Sequence, residues 1–222
     1  MKIIFRLKGG IGSGFHGHSG RPGLVGGSSP DHREKFISDL QSLVDRKIFT
    51  EKHASALMEG YDNFVSAVGE PIELPAEFEK WVGSRLNNPY ASPEANELTR
   101  RIQEFASSHE IPNVRLYRSV YGDYAKDLLT KNENDHVVLD RLTPFSGVEA
   151  VSEIFSAAYG MSQGYTSTAS ECMIVFDTST YTKGTFVGGV ASEVVIPEGT
   201  ILKISAKTDK YLYVKDITQD EI

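Results

Sequence analysis

The sequence places an arginine where a strand pattern predicts an apolar side chain. In the segment VRLYRSV, alternation puts Val114, Leu116, Arg118 and Val120 on one face of a strand. A guanidinium at such a position needs an anionic partner. That partner is either an acidic neighbour in a structural salt bridge or a bound phosphate or carboxylate, and the pattern alone favours neither.

Two later segments also combine polar chemistry with strand patterns. The segment GYTSTAS holds four hydroxyl side chains beside Tyr165, although such clusters usually form cross-strand or capping pairs. In SEVVIPEG, Glu193 opens a run that is apolar on both faces, which is typical of a central buried strand. Its carboxylate therefore lies either at the solvent-exposed end of that strand or in a cleft. A diglycine at 188–189 precedes it, as in a substrate-facing loop.

In this order, the three segments resemble the motifs of the mono-ADP-ribosyltransferase family of the arginine–serine–glutamate class. That family has an aromatic-Arg on its first strand, an aromatic-x-Ser-Thr-Ser on its second, and a Glu-x-Glu followed by hydrophobic residues and Pro-x-Gly-Thr after a mobile loop. The matching segments are Leu116–Arg118, Tyr165–Ala169 and Ala191–Thr200. The resemblance covers about residues 90–222. Two positions depart from the pattern, because Ala169 replaces the last serine and Ala191 replaces the first glutamate.

The resemblance implies a role for each of these residues in chemistry on NAD, which enters as a substrate. Glu193 would bind the ribose 2′-hydroxyl and stabilise the oxocarbenium-like charge that develops when the nicotinamide–ribose bond breaks. Ser167 would orient Glu193, and Arg118 would clamp the diphosphate with its planar fork. The remaining NAD-binding positions that it implies are Tyr117, Tyr165 and Thr168. For the two tyrosines, ordinary sheet packing is an equally open interpretation.

The activity implied is transfer of ADP-ribose from NAD to a protein acceptor, with release of nicotinamide. In the family, the position of Ala191 engages the acceptor, so its replacement leaves two alternatives open. One is an NAD glycohydrolase, in which water replaces the acceptor, and the other is a catalytically decayed phage structural or binding protein. The implied chemistry requires no metal, and the sequence contains no convincing metal site.

The elements that must position these residues are helices first and strands afterwards. Helical spacing of apolar residues begins at Ser29, after Thr50, near Phe78 and at Ser92. After Pro112 the apolar residues recur at every second position, which is typical of strands. One helix, over 147–159, is predicted among them. This order predicts an α+β fold, and the resemblance adds a mostly antiparallel, split β-sheet core. The predicted strands are 114–120, 136–140, 164–168, 172–177, 185–190, 192–196, 200–206 and 211–216.

Three regions follow from composition and pattern: a glycine-rich flexible tether at 1–33, a helical region at 34–88 and an ADP-ribosyltransferase-like catalytic domain at 89–222. Residues 9–30 contain nine of the twenty glycines. They include a GxGxxG match that lacks the helix a dinucleotide-binding turn must open. The segment resembles one in head-associated proteins of tailed phages and prophages. It predicts a phage origin, a virion component as a further partner, and a location in the virion or the host cytoplasm.

Length and charge exclude several other classes of protein. The 222 residues, 40% of them hydrophobic, suffice for one medium-sized domain with a helical extension. A net charge of −7 disfavours a role in coating nucleic acid, so proteins or small molecules are the expected partners. No apolar run is long enough to predict a membrane span. The single cysteine, Cys172, excludes an internal disulfide and indicates a reducing compartment.

Overall fold

The computed structural model of the chain describes residues 3–4, 32–72, 93–152, 154 and 171–219. Its helices are α1 (His32–Asp45), α2 (Glu51–Val68), α3 (Pro93–Ser108) and α4 (Gly122–Thr130). Its strands are β1 (Ile3–Ile4), β2 (Arg115–Tyr121), β3 (His136–Val138), β4 (Thr143–Ser146), β5 (Glu171–Asp177), β6 (Thr185–Gly188), β7 (Glu193–Ile196), β8 (Ile201–Lys207) and β9 (Tyr211–Asp216). The predicted α+β class is confirmed.

The two N-terminal helices form where apolar spacing predicts them. Thr50 caps α2, because its hydroxyl accepts a hydrogen bond from the backbone N–H of His53 in a capping box. The helix ends at Gly69, whose positive φ of 87° favours glycine. Buried side chains at helical spacing face α1, where Phe36 stacks on Tyr61 with ring centroids 4.1 Å apart.

The strands that the structure describes form one mixed sheet in the order β1-β3-β8-β9-β5-β2-β4-β7-β6, and among these strands only the β1–β3 and β5–β9 pairs are parallel. Strands β2 and β5 pair at seven positions, whereas β2 and β4 pair only at Tyr117 and Ser146. On its other side, β4 pairs with β7 at four positions. This narrow seam divides the sheet into a large part and a small part of β4, β7 and β6. The predicted mostly antiparallel, split sheet is therefore confirmed.

Helix α2 packs closely on the small part of the sheet. A Cβ on Gly60 would stand 2.4 Å from Val148 Cγ1, so only glycine permits this approach. The rings of Phe64 and Phe186 meet edge to face at 5.0 Å. Past the helix, the N–H of Ile72 donates to the carbonyl of Phe186 at 3.0 Å. The helices thus extend the core of the sheet.

Within the described residues, the predicted strands agree with the observed ones to within a few positions. Helix α4 and strand β4 have no counterpart among the predictions. Residues 149–152 and 154 are helical, inside the helix predicted over 147–159. The predicted helix at 78–86, the strand at 164–168 and most of the tether, 5–31, lie outside the described residues. None of the helices that the structure describes is long and apolar enough to cross a membrane.

Candidate active site

Arg118 lies in the middle of β2 with its side chain completely enclosed, at 2% exposure. Its Nη1 donates a hydrogen bond to the carbonyl oxygen of Pro144 on β4, across the seam. Its Nε has no hydrogen-bond partner, and no carboxylate of the described part of the chain lies within ion-pair distance. Burial lowers the pKa of the guanidinium to about 10, so it stays charged at neutral pH. A structural salt bridge does not account for this arginine.

Glu193 begins β7 and is also buried, at 5% exposure. Burial raises the pKa of its carboxyl group to about 7, and the positive charge of Arg118 acts in the opposite direction. The two groups make no direct ion pair, yet they are close enough for each charge to affect the other. Near neutral pH, Glu193 is therefore divided between its ionised and protonated forms.

The strands that carry the two charged groups are linked through β4. Tyr117 pairs with Ser146, and Ser146 pairs with Glu193, so one β4 residue joins the two strands. In a regular sheet, Arg118 and Glu193 would alternate to opposite faces. The guanidinium of Arg118 nevertheless reaches β4, where it donates a hydrogen bond to the carbonyl oxygen of Pro144.

Ser146 is the residue at the centre of this arrangement, and sequence reasoning missed it. Its hydroxyl lies 2.8 Å from the carbonyl oxygen of Ala191 and accepts a hydrogen bond from the N–H of Val148 at 3.0 Å. It therefore holds the chain two residues before Glu193. The signal that could have found it is a serine between a short strand and a helix, but Pro144 argued against a strand there. A proline is compatible with a strand that is scarcely paired on one side.

The turn that leads into Glu193 has an unusual backbone. Gly188, Gly189 and Ser192 all have positive φ, at 79°, 72° and 44°. The turn is closed by a hydrogen bond from the N–H of Ser192 to the carbonyl of Gly189, and the carbonyl of Ser192 accepts from Gly147 at 2.9 Å. Ala191, the predicted acceptor-facing position, is half-buried, and its carbonyl is held by Ser146. The diglycine thus belongs to a tight turn joined to β4.

Tyr117 is the one other predicted NAD-binding residue that the structure describes, and it pairs with Ser146 at the seam. Tyr117 lies on the opposite face of β2 from Arg118, half-buried, in register with Val175. Its pKa is raised by burial and then by Glu149. Ser167, Tyr165 and Thr168 lie outside the described residues, so their predicted roles stay predictions.

No candidate metal centre occurs among the residues that the structure describes, in the sense of three or more His, Cys, Asp or Glu side chains together. Cys172 is fully buried opposite Val120, and burial raises the pKa of its thiol to about 12. It behaves as the small buried hydrophobe that the strand pattern predicts.

Comparison with known proteins gives structural likeness only. No protein-family model and no curated protein matches the chain. Among solved structures, the Vis toxin, an ADP-ribosyltransferase from Vibrio splendidus, is 15% identical with a TM-score of 0.42, covering 86% of this chain and 88% of that one. C3stau2 from S. aureus with NAD is 12% identical with a TM-score of 0.39, covering 82% and 93%. The Clostridium limosum C3 exoenzyme is 13% identical with a TM-score of 0.39, covering 81% and 93%.

Proposed function

We propose that this protein cleaves the nicotinamide–ribose bond of NAD and transfers ADP-ribose to a protein acceptor. The observation that carries the proposal is the pair of buried charged groups at the seam: Arg118, whose Nε is unused, and Glu193, whose pKa the charge of Arg118 lowers against the effect of burial. Sequence motifs that resemble those of mono-ADP-ribosyltransferases contain the same two residues. Together they supply an anion-binding group and a cation-stabilising group, which are the two charges that NAD cleavage requires.

Arg118 would bind the diphosphate. A buried charge without a counter-ion is costly, so a ligand that supplies the missing anion gains strongly from it. The Pro144 hydrogen bond holds one end of the guanidinium and leaves the buried Nε without a partner. The fork of an arginine also suits a phosphate better than the point charge of a lysine.

Glu193 would stabilise the positive charge that develops on the ribose carbon as nicotinamide leaves. Because the carboxylate is buried, water screens its charge less than it would at the surface. Its electrostatic interaction with a cationic ribose carbon is therefore stronger there. A cationic substrate also favours its ionised form. The acceptor nucleophile then forms a bond to the ribose carbon. Nicotinamide departs with the electron pair of the bond that breaks.

Ser146 would position Glu193. It is in register with Glu193 and holds the carbonyl of Ala191, so it restrains the backbone on which the carboxylate stands. This is the role that the sequence motif assigns to Ser167. A protein acceptor, and a phage virion component as a partner, remain predictions from the sequence.

A second candidate function is hydrolysis of NAD, and the side chain at position 191 favours it. Ala191 offers a methyl group where the family pattern has a carboxylate, so the site has no acidic group there to engage an acceptor. Water would then attack the ribose carbon and give free ADP-ribose.

The experiment that tests the proposal follows both products of NAD. The full-length protein is incubated with NAD labelled in its adenylate part, with and without cell lysate, and nicotinamide release is measured in parallel. Label on protein supports transfer, and free ADP-ribose with nicotinamide but no labelled protein supports hydrolysis. No nicotinamide release under either condition would overturn both candidates.

The activity is expected to depend on pH through Glu193. Because the carboxylate is the active form and its pKa is about 7, kcat/KM for NAD should fall as the pH decreases below 7. The fall should approach about tenfold per pH unit. Arg118 is the charged group that acts on this carboxyl, and it stays protonated over this range. A kcat/KM that stays constant between pH 5 and 8 would contradict the assignment.

Substitutions can determine whether Ser146 or Ser167 is the serine that positions Glu193. Ser146→Ala is expected to lower kcat for nicotinamide release by about 10- to 100-fold, because small displacements of a catalytic group are costly. Ser152→Ala is the matched control, since Ser152 is equally buried and donates to the Tyr117 carbonyl at 3.0 Å. Steady-state kinetics of both variants and of Ser167→Ala decide the question. If only Ser167→Ala lowers kcat, Ser146 is not the positioning serine.

A further inference from the structure

None of the sequence motifs lies in the helical region. One side chain of that region nevertheless contacts residues on both sides of β7, the strand that begins with Glu193. The Phe64 ring of α2 lies flat on the backbone of Gly147, where an added Cβ would stand 2.6 Å from three ring atoms. The same ring meets Phe186 of β6 edge to face at 5.0 Å. These two contacts lie on either side of β7.

Each contact leads directly to a neighbour of Glu193. The N–H of Gly147 donates to the carbonyl of Ser192, at 2.9 Å, which is the residue before Glu193. Phe186 is in register with Val194, the residue after it. Phe64 therefore contacts a partner of the backbone on each side of Glu193.

We propose that Phe64 is a positioning residue for Glu193 and that α2 is part of the catalytic scaffold. The proposal rests on the proposed function and extends it to the helical region. The contact requires an aromatic ring, because its flat face fits the glycine backbone and its plane stands nearly perpendicular to the ring of Phe186. Close packing at Gly60 and Val148 holds the helix at the distance at which both contacts are made.

The test compares Phe64→Leu with Phe36→Leu. Phe36 is a matched control because it is also buried and stacks on Tyr61, at the α1–α2 contact. Both variants lose a ring from the same pair of helices. Phe64→Leu is expected to lower kcat for nicotinamide release about tenfold or more with little change in KM for NAD, whereas Phe36→Leu changes kcat less than about threefold.

A second measurement does not depend on activity. The titration of Glu193 is followed by carbon NMR in the wild type and in both variants, with Glu193→Gln used to assign its signal. Loosening the packing around β7 should admit water and move the pKa of Glu193 towards its ordinary value in Phe64→Leu alone. If Phe64→Leu does not fold, Phe64→Met replaces it.

The outcomes separate the two proposals. Equal effects of the Phe64 and Phe36 variants on kcat and on the titration, or no effect of either, would overturn the positioning role. A wild-type protein that releases no nicotinamide would overturn the proposed function. In that case, a shift in the Glu193 titration confined to Phe64→Leu would still support the structural link.

Discussion

Replacing Glu193 with glutamine is expected to lower the rate of nicotinamide release from NAD by about 10²–10³-fold or more. Glutamine keeps the shape of the side chain but removes the negative charge that would face the cationic ribose carbon. Because Glu193 is buried and tends to hold a proton, the neutral variant should fold at least as stably as the wild type. Single-turnover kinetics and denaturant unfolding measure the two effects.

The control for this prediction is Glu198→Gln. Glu198 follows β7 and is exposed. Removing its charge should therefore leave the rate of nicotinamide release unchanged and should change the free energy of unfolding by no more than about 0.5 kcal/mol. If Glu193→Gln retains wild-type activity, the carboxylate is not the group that stabilises the transition state.

Replacing Arg118 with methionine should weaken NAD binding strongly without weakening the fold. Removing one partner of a buried charge pair in a complex costs about 2–5 kcal/mol, which corresponds to a rise in Kd for NAD of about 30-fold or more. In the free protein, however, the guanidinium is buried without a direct ion pair, and its Nε makes no hydrogen bond. An apolar side chain of similar length should therefore leave the free energy of unfolding unchanged or raise it. Calorimetric titration and denaturant unfolding together measure this pair of opposite effects.

Arg115→Met provides the comparison on the same strand. Arg115 is half-exposed and pairs with Asp177 at 2.7 Å. Such a surface pair contributes about 0–1 kcal/mol to stability, and its loss should leave NAD affinity unchanged. If Arg118→Met destabilises the fold while NAD binding is unaffected, Arg118 has a purely structural role.

The sequence predicts elements whose signals are local. The apolar stripe that predicts a helix after Thr50 lies within one element, and that helix, α2, is confirmed. The arginine is detectable because it breaks the alternation of one strand, and the structure shows it buried. Strand β4 is short and contains Pro144, so its pattern is too weak to recognise, although it joins the two parts of the sheet.

The relation between the site residues depends on register, which local patterns do not encode. Ser146 becomes notable only because it pairs with Tyr117 on one side and Glu193 on the other. Likewise, the contact of Phe64 with Gly147 joins residues 83 positions apart in the chain. The resemblance to known motifs selects Arg118 and Glu193 but cannot show which elements hold them in place.

The most direct test is a crystal structure of the Glu193→Gln protein with NAD bound. The diphosphate oxygens should lie within hydrogen-bond distance of Arg118 Nε. The ribose that carries nicotinamide should place its 2′-hydroxyl against the side chain at position 193, beside Ser146. NAD bound away from the seam between β2 and β4, with Arg118 still enclosed and its Nε unused, would contradict the proposal that these residues meet around one dinucleotide.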